Sequence, residues 1–182
     1  MRKPQLAVGI LALAAAVLLL VYLGRQPASQ RARVGSPLSE GGTVGGMAPP
    51  FSLFDIGGNK VSSSQFAGRP TVINFFATWC PPCREEIPGF VEVYNKYRGK
   101  GFELVGISFD TDTKEHLPRF VMQNRIGYKI LMGDVATANA YGVTPLPATY
   151  FVGKDGRIKN IHVGFMDKDD FEREVQKLLQ KS

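Results

Sequence analysis

The sequence has 182 residues, a length that suits one domain of ordinary size with additional sequence outside it. Its formal net charge is +6, but five of the 22 Lys and Arg residues lie within the first 33 positions, and the other 17 are matched by 16 Asp and Glu. A nucleic-acid-binding domain needs clustered basic residues on its folded surface. The charge distribution therefore argues against nucleic acid as a partner.

An uncharged apolar run comes first. Residues 6–23 read LAVGILALAAAVLLLVYL, which approaches the ~20 apolar residues that a bilayer-spanning helix needs. The run is longer than the apolar region of a cleaved signal peptide, and no small-residue cleavage site follows it. We predict a transmembrane signal anchor over residues 6–24 that contacts the lipid bilayer. Basic residues on both flanks leave its orientation open.

Residues 25–46 are rich in Gly, Ser, Pro and Arg and contain few large apolar side chains. Such a composition is typical of a flexible tether. From residue 47 the pattern changes to alternating strand and helix signals, so we place the folded domain at 47–182.

The predicted strands and helices alternate along this domain. The apolar run TVINFF at 71–76 predicts a strand buried on both faces. A helix follows at 82–97, a second buried strand at 102–109, and two further helices at 114–124 and 135–141. Strands separated by helices predict a layered α/β fold with a mixed sheet.

The C-terminal part predicts a hairpin and a last helix. Two β-rich runs at 148–152 and 157–163 are joined by GKDG, and Asp-Gly suits a tight turn. Residues 167–181 begin with Asp and end with Lys, which matches the dipole of a helix.

The two cysteines of the chain, Cys80 and Cys83, lie between the first buried strand and the first helix. A zinc site needs three or four ligands, and His116 and His162 have no ligand-like spacing to them, so we predict no metal. A purely structural disulfide over so short a loop would restrict the unfolded chain little. A redox-active dithiol is the interpretation that the position favours.

The N-terminus of a helix stabilises a thiolate, because its backbone N–H groups are unpaired and its dipole is positive there. Cys80 stands at the exposed start of the helix and is the expected attacking thiol, and Cys83, one turn further in, is the expected resolving thiol. Pro81 and Pro82 remove two N–H donors, which predicts a moderately reducing dithiol and not a strong oxidant.

Three segments resemble the membrane-anchored TlpA/ResA-like thiol–disulfide oxidoreductases of the thioredoxin superfamily. They are GMAPPFSL at 46–53, VINFFATWCPPCREE at 72–86, and YGV at 141–143 with PATYF at 147–151. The resemblance implies a thioredoxin fold with an N-terminal β-hairpin extension and an inserted helix. It also implies that residues 1–5 are cytoplasmic and that the single-pass protein holds its domain on the extracytoplasmic face.

The same resemblance implies a client-docking surface formed by Trp79, Leu146 and Pro147, with a cis peptide bond between Leu146 and Pro147. A bond of that kind is essentially a proline feature. The exposed backbone of Leu146 would then pair with an extended client segment. Pro145 departs from the family pattern, which has glycine there.

Glu86 matches an acidic residue that many members of this family place near the dithiol. Three residues beyond Cys83, it shares a helix face with that thiol and is a candidate for proton transfer. The alternative is a solvated glutamate, as neighbouring Glu85 would also be. Asn74 occupies the position of a buried aspartate in cytosolic-type thioredoxins, and an amide cannot act as a base.

The expected function is reduction of disulfides in extracytoplasmic clients, of which apocytochrome c is one class that the resemblance implies. A membrane-embedded thiol donor would supply electrons, and the Cys80–Cys83 pair would serve in place of a cofactor. A disulfide-donating oxidase or isomerase stays open as an alternative, as does a non-enzymatic binding module. A thiol peroxidase is disfavoured, because Ala77 stands where peroxidases carry Thr or Ser.

Overall fold

The computed structural model describes residues 42–111 and 115–180. The predicted anchor at 6–24 and most of the tether lie outside these residues. No helix within the described ranges is long and apolar enough to cross a bilayer.

The folded domain begins before the predicted boundary at residue 47. Gly42 N–H donates to the carbonyl of Ala140 at 3.1 Å, and Gly45 N–H donates to that of Ile158 at 2.8 Å. The carbonyl of Gly46 in turn accepts from Ile158 N–H at 2.9 Å. These bonds place residues 42–46, the end of the predicted tether, against the helix that contains Ala140 and against the last hairpin of the domain.

The described residues form one mixed sheet and four α-helices. The strands are β1 (Ser52–Asp55), β2 (Lys60–Ser62), β3 (Thr71–Phe76), β4 (Glu103–Ser108), β5 (Lys129–Met132), β6 (Ala148–Val152) and β7 (Ile158–Val163). The helices are α1 (Pro81–Tyr97), α2 (His116–Gln123), α3 (Val135–Tyr141) and α4 (Lys168–Gln180). The strand order is β2-β1-β5-β4-β3-β6-β7.

Strands β3, β4 and β5 are parallel, and the pairs at both edges are antiparallel. The predicted strand at 71–76 and helix at 135–141 are confirmed to the residue, and the C-terminal hairpin is also confirmed. The hairpin of β1 and β2 confirms the extension that the resemblance implied. Strand β5 was not predicted, because four residues between two helices give too short a pattern to recognise.

The sheet separates two apolar cores, because successive residues of a strand point to opposite faces. The α1-side core packs α1, α2 and α4 on one face and includes Val72, Phe76, Ile87, Phe90, Phe120, Phe171 and both cysteines. The α3-side core covers the other face and includes Ile73, Phe75, Val105, Tyr141 and Tyr150. By the same alternation, Asn74 of β3 points into the α1-side core.

Candidate active site

The cysteine pair lies at the start of α1, just after the loop that follows β3. Cys80 is the N-cap of α1 and is joined to Cys83 by a disulfide, with their Cα atoms 5.3 Å apart. Pro81 and Pro82 occupy the first helical positions. Cys80 N–H donates to the carbonyl of Ala77 at 3.1 Å, which fixes the turn into the helix.

Cys80 is less exposed than the sequence predicts. Its exposed fraction is 5%, against 0% for Cys83. The reason is that Cys80 belongs to the α1-side core, against which Leu146 also packs. The predicted order of exposure nevertheless holds, since Cys80 is the more accessible of the two.

The predicted docking residues surround this end of the sheet. Trp79 is exposed over 67% of its surface. The Leu146–Pro147 bond is cis, as predicted, and Pro147 precedes Ala148, which pairs with Phe75 near the end of β3. The carbonyl of Pro147 accepts from Gly164 N–H at 2.8 Å, whereas the backbone of Leu146 makes no hydrogen bond within the described ranges.

Glu86 lies in α1 one helical turn beyond Cys83 and is buried, with only 2% of its surface exposed. Its Oε1 accepts a hydrogen bond from Asn74 Nδ2 at 2.9 Å, and its Oε2 accepts one from the backbone N–H of Met166 at 3.3 Å. The structure therefore excludes the solvated alternative for Glu86, while Glu85 is exposed as that alternative expected.

Comparisons with known proteins agree with this geometry. The family model described as AhpC/TSA matches residues 44–161. The chain belongs to the AhpC/TSA family. It is 33% identical over 136 residues to the thiol–disulfide oxidoreductase ResA of Geobacillus kaustophilus, an alignment that covers 74% of this chain and 78% of that relative.

Two solved structures share the fold. A thiol:disulfide interchange protein of the thioredoxin family from Chlorobium tepidum has a TM-score of 0.69 at 31% identity, covering 75% of this chain and 98% of the other. A secreted disulfide oxidoreductase from Mycobacterium tuberculosis, homologous to DsbE, has a TM-score of 0.62 at 25% identity, covering 70% and 96%. The protein is thus a thioredoxin-fold thiol–disulfide oxidoreductase of the ResA and DsbE type.

Oxidoreductases of this fold use a redox-active cysteine pair in place of a cofactor, and that pair here is Cys80–Cys83. Within the described residues, no group of three or more His, Cys, Asp or Glu is placed to hold a metal ion. His162 Nε2 instead lies 2.9 Å from the carbonyl of Phe165.

The buried acid of this oxidoreductase has an unusual proton affinity. Burial raises the pKa of Glu86 to about 8, although hydrogen bonds from Asn74 and Met166 act in the opposite direction. Burial, together with the neighbouring Glu86 charge, also raises the pKa of Tyr128 above its ordinary range. Glu86 therefore exchanges its proton near neutral pH, which is the range that acid–base catalysis requires.

Asn74 links this acid to the sheet. Its Nδ2 donates both to Glu86 and to Thr149 Oγ1, the latter at 3.1 Å. Its Oδ1 is the one buried side-chain nitrogen or oxygen without a hydrogen-bond partner in the part of the chain that the structure describes. A buried, unpartnered carbonyl of this kind is costly, and here it adjoins the titrating carboxyl group.

Asp110 anchors the loop that leads into the dithiol. Its carboxylate accepts from the backbone N–H of Thr78 at 3.0 Å and from the hydroxyls of Thr78 and Ser108. Thr78 and Asp110 come two residues after the ends of the paired strands β3 and β4, in which Phe76 lies opposite Ser108. This carboxylate thus holds the segment just before Trp79 and Cys80.

The sequence interpretation missed three of these contributors: Asp110, Thr149 and the backbone of Met166. A signal for Asp110 existed, since polar residues just beyond the carboxyl ends of neighbouring parallel strands meet at one edge of the sheet. No signal marks Met166, because a main-chain N–H carries no sequence information.

Proposed function

We propose that this oxidoreductase reduces disulfides in extracytoplasmic client proteins, with Cys80 attacking, Cys83 resolving and Glu86 accepting the proton of Cys83. The observation that carries the proposal is the Cys80–Cys83 pair at the start of α1, one helical turn before a buried carboxyl group whose pKa is about 8. A nucleophile with a nearby, oriented base is the arrangement that thiol exchange needs.

The exchange balances as two sulfur displacements. In the reduced protein the Cys80 thiolate attacks a client disulfide, so that a Cys80–client bond forms and one client thiolate leaves. Cys83 then loses its proton to Glu86, one helical turn away, and attacks Cys80 Sγ. The second client thiolate leaves and the Cys80–Cys83 disulfide forms. Two electrons pass to the client, and a membrane-embedded dithiol donor restores them.

The two prolines at the start of α1 favour electron transfer from the dithiol to the client. Each removes an N–H group at the positions where a helix N-terminus would donate to the Cys80 sulfur. A dithiol becomes a strong oxidant when its reduced form is stabilised. With fewer donors for the thiolate, the pair gives electrons more readily, which favours a reductase over an oxidase or isomerase.

Client docking is proposed at Trp79, Leu146 and Pro147. The aromatic side chain of Trp79, directly before Cys80 in sequence, is exposed, and tryptophan is enriched at interfaces because its ring offers both apolar surface and an N–H donor. The backbone of Leu146, which makes no hydrogen bond within the described ranges, can add an extended client segment as a short strand.

The N-terminal sequence supports a location of the domain at the extracytoplasmic face of a membrane. An anchor over residues 6–24 with a tether after it would hold the domain at the outer face of a membrane, in contact with lipid. Disulfides persist in such oxidising compartments, and the related Mycobacterium tuberculosis protein is described as secreted. Apocytochrome c, which needs reduced cysteines before haem attachment, is a suitable client class.

The test is to trap mixed disulfides with the full chain carrying Cys83→Ser. We expect Cys80 to remain bound to clients and donor, which mass spectrometry then identifies, and Cys80→Ser to trap none. A Cys83→Ser protein that accumulates no mixed disulfide would contradict the assignment of attacker and resolver. A reduction potential as high as that of strong disulfide donors would contradict the direction.

A further inference from the structure

A surface pocket of about 120 Å³ lies between α2 and the two residues Thr78 and Arg84, which flank the dithiol in sequence. About 10–15 Å³ of such volume is enough to hold one water molecule, so the pocket has room for one small polar group with part of its side chain. Its lining residues are Thr78, Arg84, His116, Arg119, Phe120 and Gln123.

Sequence position ties this pocket to the reacting sulfurs. Thr78 is two residues before Cys80, and Arg84 directly follows Cys83. The N–H of Arg84 donates to the carbonyl of Cys80 at 3.2 Å, which fixes the start of the Arg84 side chain relative to the dithiol. A group bound in the pocket would therefore belong to the chain segment that flanks a client cysteine.

The opposite wall of the pocket comes from α2, the helix that connects β4 to β5 along the chain. His116, Arg119 and Gln123 are exposed and follow one another at spacings of three and four residues, so they share one face of the helix. Phe120 is buried and stacks with Phe76 at a ring distance of 6.4 Å, which gives the pocket a fixed floor.

The two charged side chains in the lining, those of Arg84 and Arg119, are both positive. Arg84 and Arg119 take part in none of the ion pairs formed within residues 42–111 and 115–180. The carboxylate of Asp110, which is bonded to the lining residue Thr78, already accepts hydrogen bonds from Thr78 and Ser108. Two guanidinium groups with a donor-rich wall suit a carboxylate, which arginine binds with paired hydrogen bonds.

We infer that the pocket formed by Arg84, His116 and Arg119 binds an acidic side chain of the client next to the cysteine under attack. This inference rests on the proposed exchange at Cys80 and adds the class of client: a disulfide flanked by Asp or Glu. The pocket accelerates encounter with such clients, because complementary charge raises association rates and aligns the partners.

The experiment compares two disulfide-linked peptides that differ only in Glu or Gln on either side of the cysteine. The reduced full chain in neutral detergent is mixed with each peptide, and its oxidation is followed by thiol alkylation and mass spectrometry. We expect the Glu peptide to react about three- to tenfold faster at low ionic strength. Raising the salt concentration should shrink the difference, since salt screens exposed charges.

Variants then show which residues produce the preference for the Glu peptide. Arg84→Gln combined with Arg119→Gln should bring the two rates together, whereas the corresponding Lys substitutions should keep most of the difference. Arg98→Gln is the matched control, because Arg98 follows the far end of α1, roughly 20 Å from Arg84 at the rise of an α-helix. Equal rates for the two peptides, or a preference that survives the double Gln variant, would overturn the inference.

Peptide binding can be measured without thiol exchange, so it tests the pocket independently of the proposed function. A full chain with Cys80→Ser and Cys83→Ser cannot exchange disulfides, but its affinity for the fluorescently labelled peptides can be compared by anisotropy. Stronger binding of the Glu peptide supports the pocket even if neither peptide is reduced, a result that would contradict the proposed function alone. Equal binding of both peptides would overturn the pocket whatever the rates.

Discussion

The two cores on either side of the sheet differ in how completely their buried polar groups are hydrogen-bonded. In the α3-side core the hydroxyl of Tyr150 donates to the carbonyl of Tyr141 at 2.7 Å, and that of Tyr141 donates to the carbonyl of Pro49 at 2.8 Å. In the α1-side core Glu86 is buried as a titrating acid, and Asn74 Oδ1 has no partner within the described residues.

This difference separates a core that only stabilises from a core that also holds the chemistry. A buried polar group is costly unless it is fully hydrogen-bonded. Within the described residues, the α3-side core meets that condition. The α1-side core departs from it only at Oδ1 of Asn74, the residue that donates to Glu86. Burial raises the pKa of Glu86 to about 8, and the proposed proton transfer uses that property.

The largest expected effect tests the α3-side core. Phe75→Ala removes a fully buried ring that contacts Phe109, Tyr141 and Tyr150. It should lower the free energy of unfolding by about 3–5 kcal/mol, measured by urea denaturation, and leave the rate of thiol exchange within about twofold. Ile87→Ala, in α1 next to Glu86, should lower both. An exchange rate that collapses in Phe75→Ala would refute the separation.

The next effect is a pH dependence from the α1-side core. Folding raises the pKa of Glu86 from 4.5 to about 8, so between these values the native state holds a proton that the unfolded chain has released. The free energy of unfolding therefore falls as pH rises through this window, and this stability is fully present only below about pH 4.5.

Urea denaturation of the oxidised protein at pH 5, 7 and 9 measures this slope. Glu86→Gln should flatten it, because an amide does not titrate, and should also shift the pH profile of thiol exchange. Glu85→Gln is the matched control, since Glu85 is the exposed neighbour. A Glu86→Gln protein with unchanged slope and unchanged pH profile would remove the proton-transfer role.

A smaller effect compares two carboxylates that cap backbone N–H groups in different regions. Asp110→Ala leaves the buried Thr78 and Ser108 donors unpaired and should cost about 1–3 kcal/mol of stability. It should also slow exchange, because the loop before Cys80 loses its anchor. Asp134→Ala removes the cap of α3, where Asp134 Oδ1 accepts from Thr137 N–H at 2.7 Å, and should cost about 1 kcal/mol with exchange unchanged.

The smallest effect concerns the hydrogen-bonded tyrosine hydroxyls of the α3-side core. Tyr150→Phe removes the donor to Tyr141 and should lower the free energy of unfolding by about 1 kcal/mol in the same assay. Tyr94→Phe is the control, because the hydroxyl of Tyr94 forms no hydrogen bond within the described ranges. Equal stability losses in the two variants would show that the Tyr150 hydrogen bond contributes nothing.

Local pattern predicted most of the fold. The run at 71–76 and the helix at 135–141 were predicted to the residue, because continuous apolar runs and helix-length segments are set by neighbouring side chains. Strand β5 was not predicted, because four residues define no period. The packing of residues 42–46 on the domain was not predicted either. Residues 42–46 are held by bonds to Ala140 and Ile158, which lie far away in sequence.

For the site, the sequence by itself determined the redox pair and its place at a helix start, since both depend on residues only three positions apart. It also singled out Glu86, Trp79 and the Leu146–Pro147 bond through resemblance. Only the tertiary structure decided that Glu86 is buried against Asn74 and Met166, and that Asp110 holds Thr78. The physical reason is that these contacts arise from packing α1 on β3 and aligning β3 with β4, which no local pattern records.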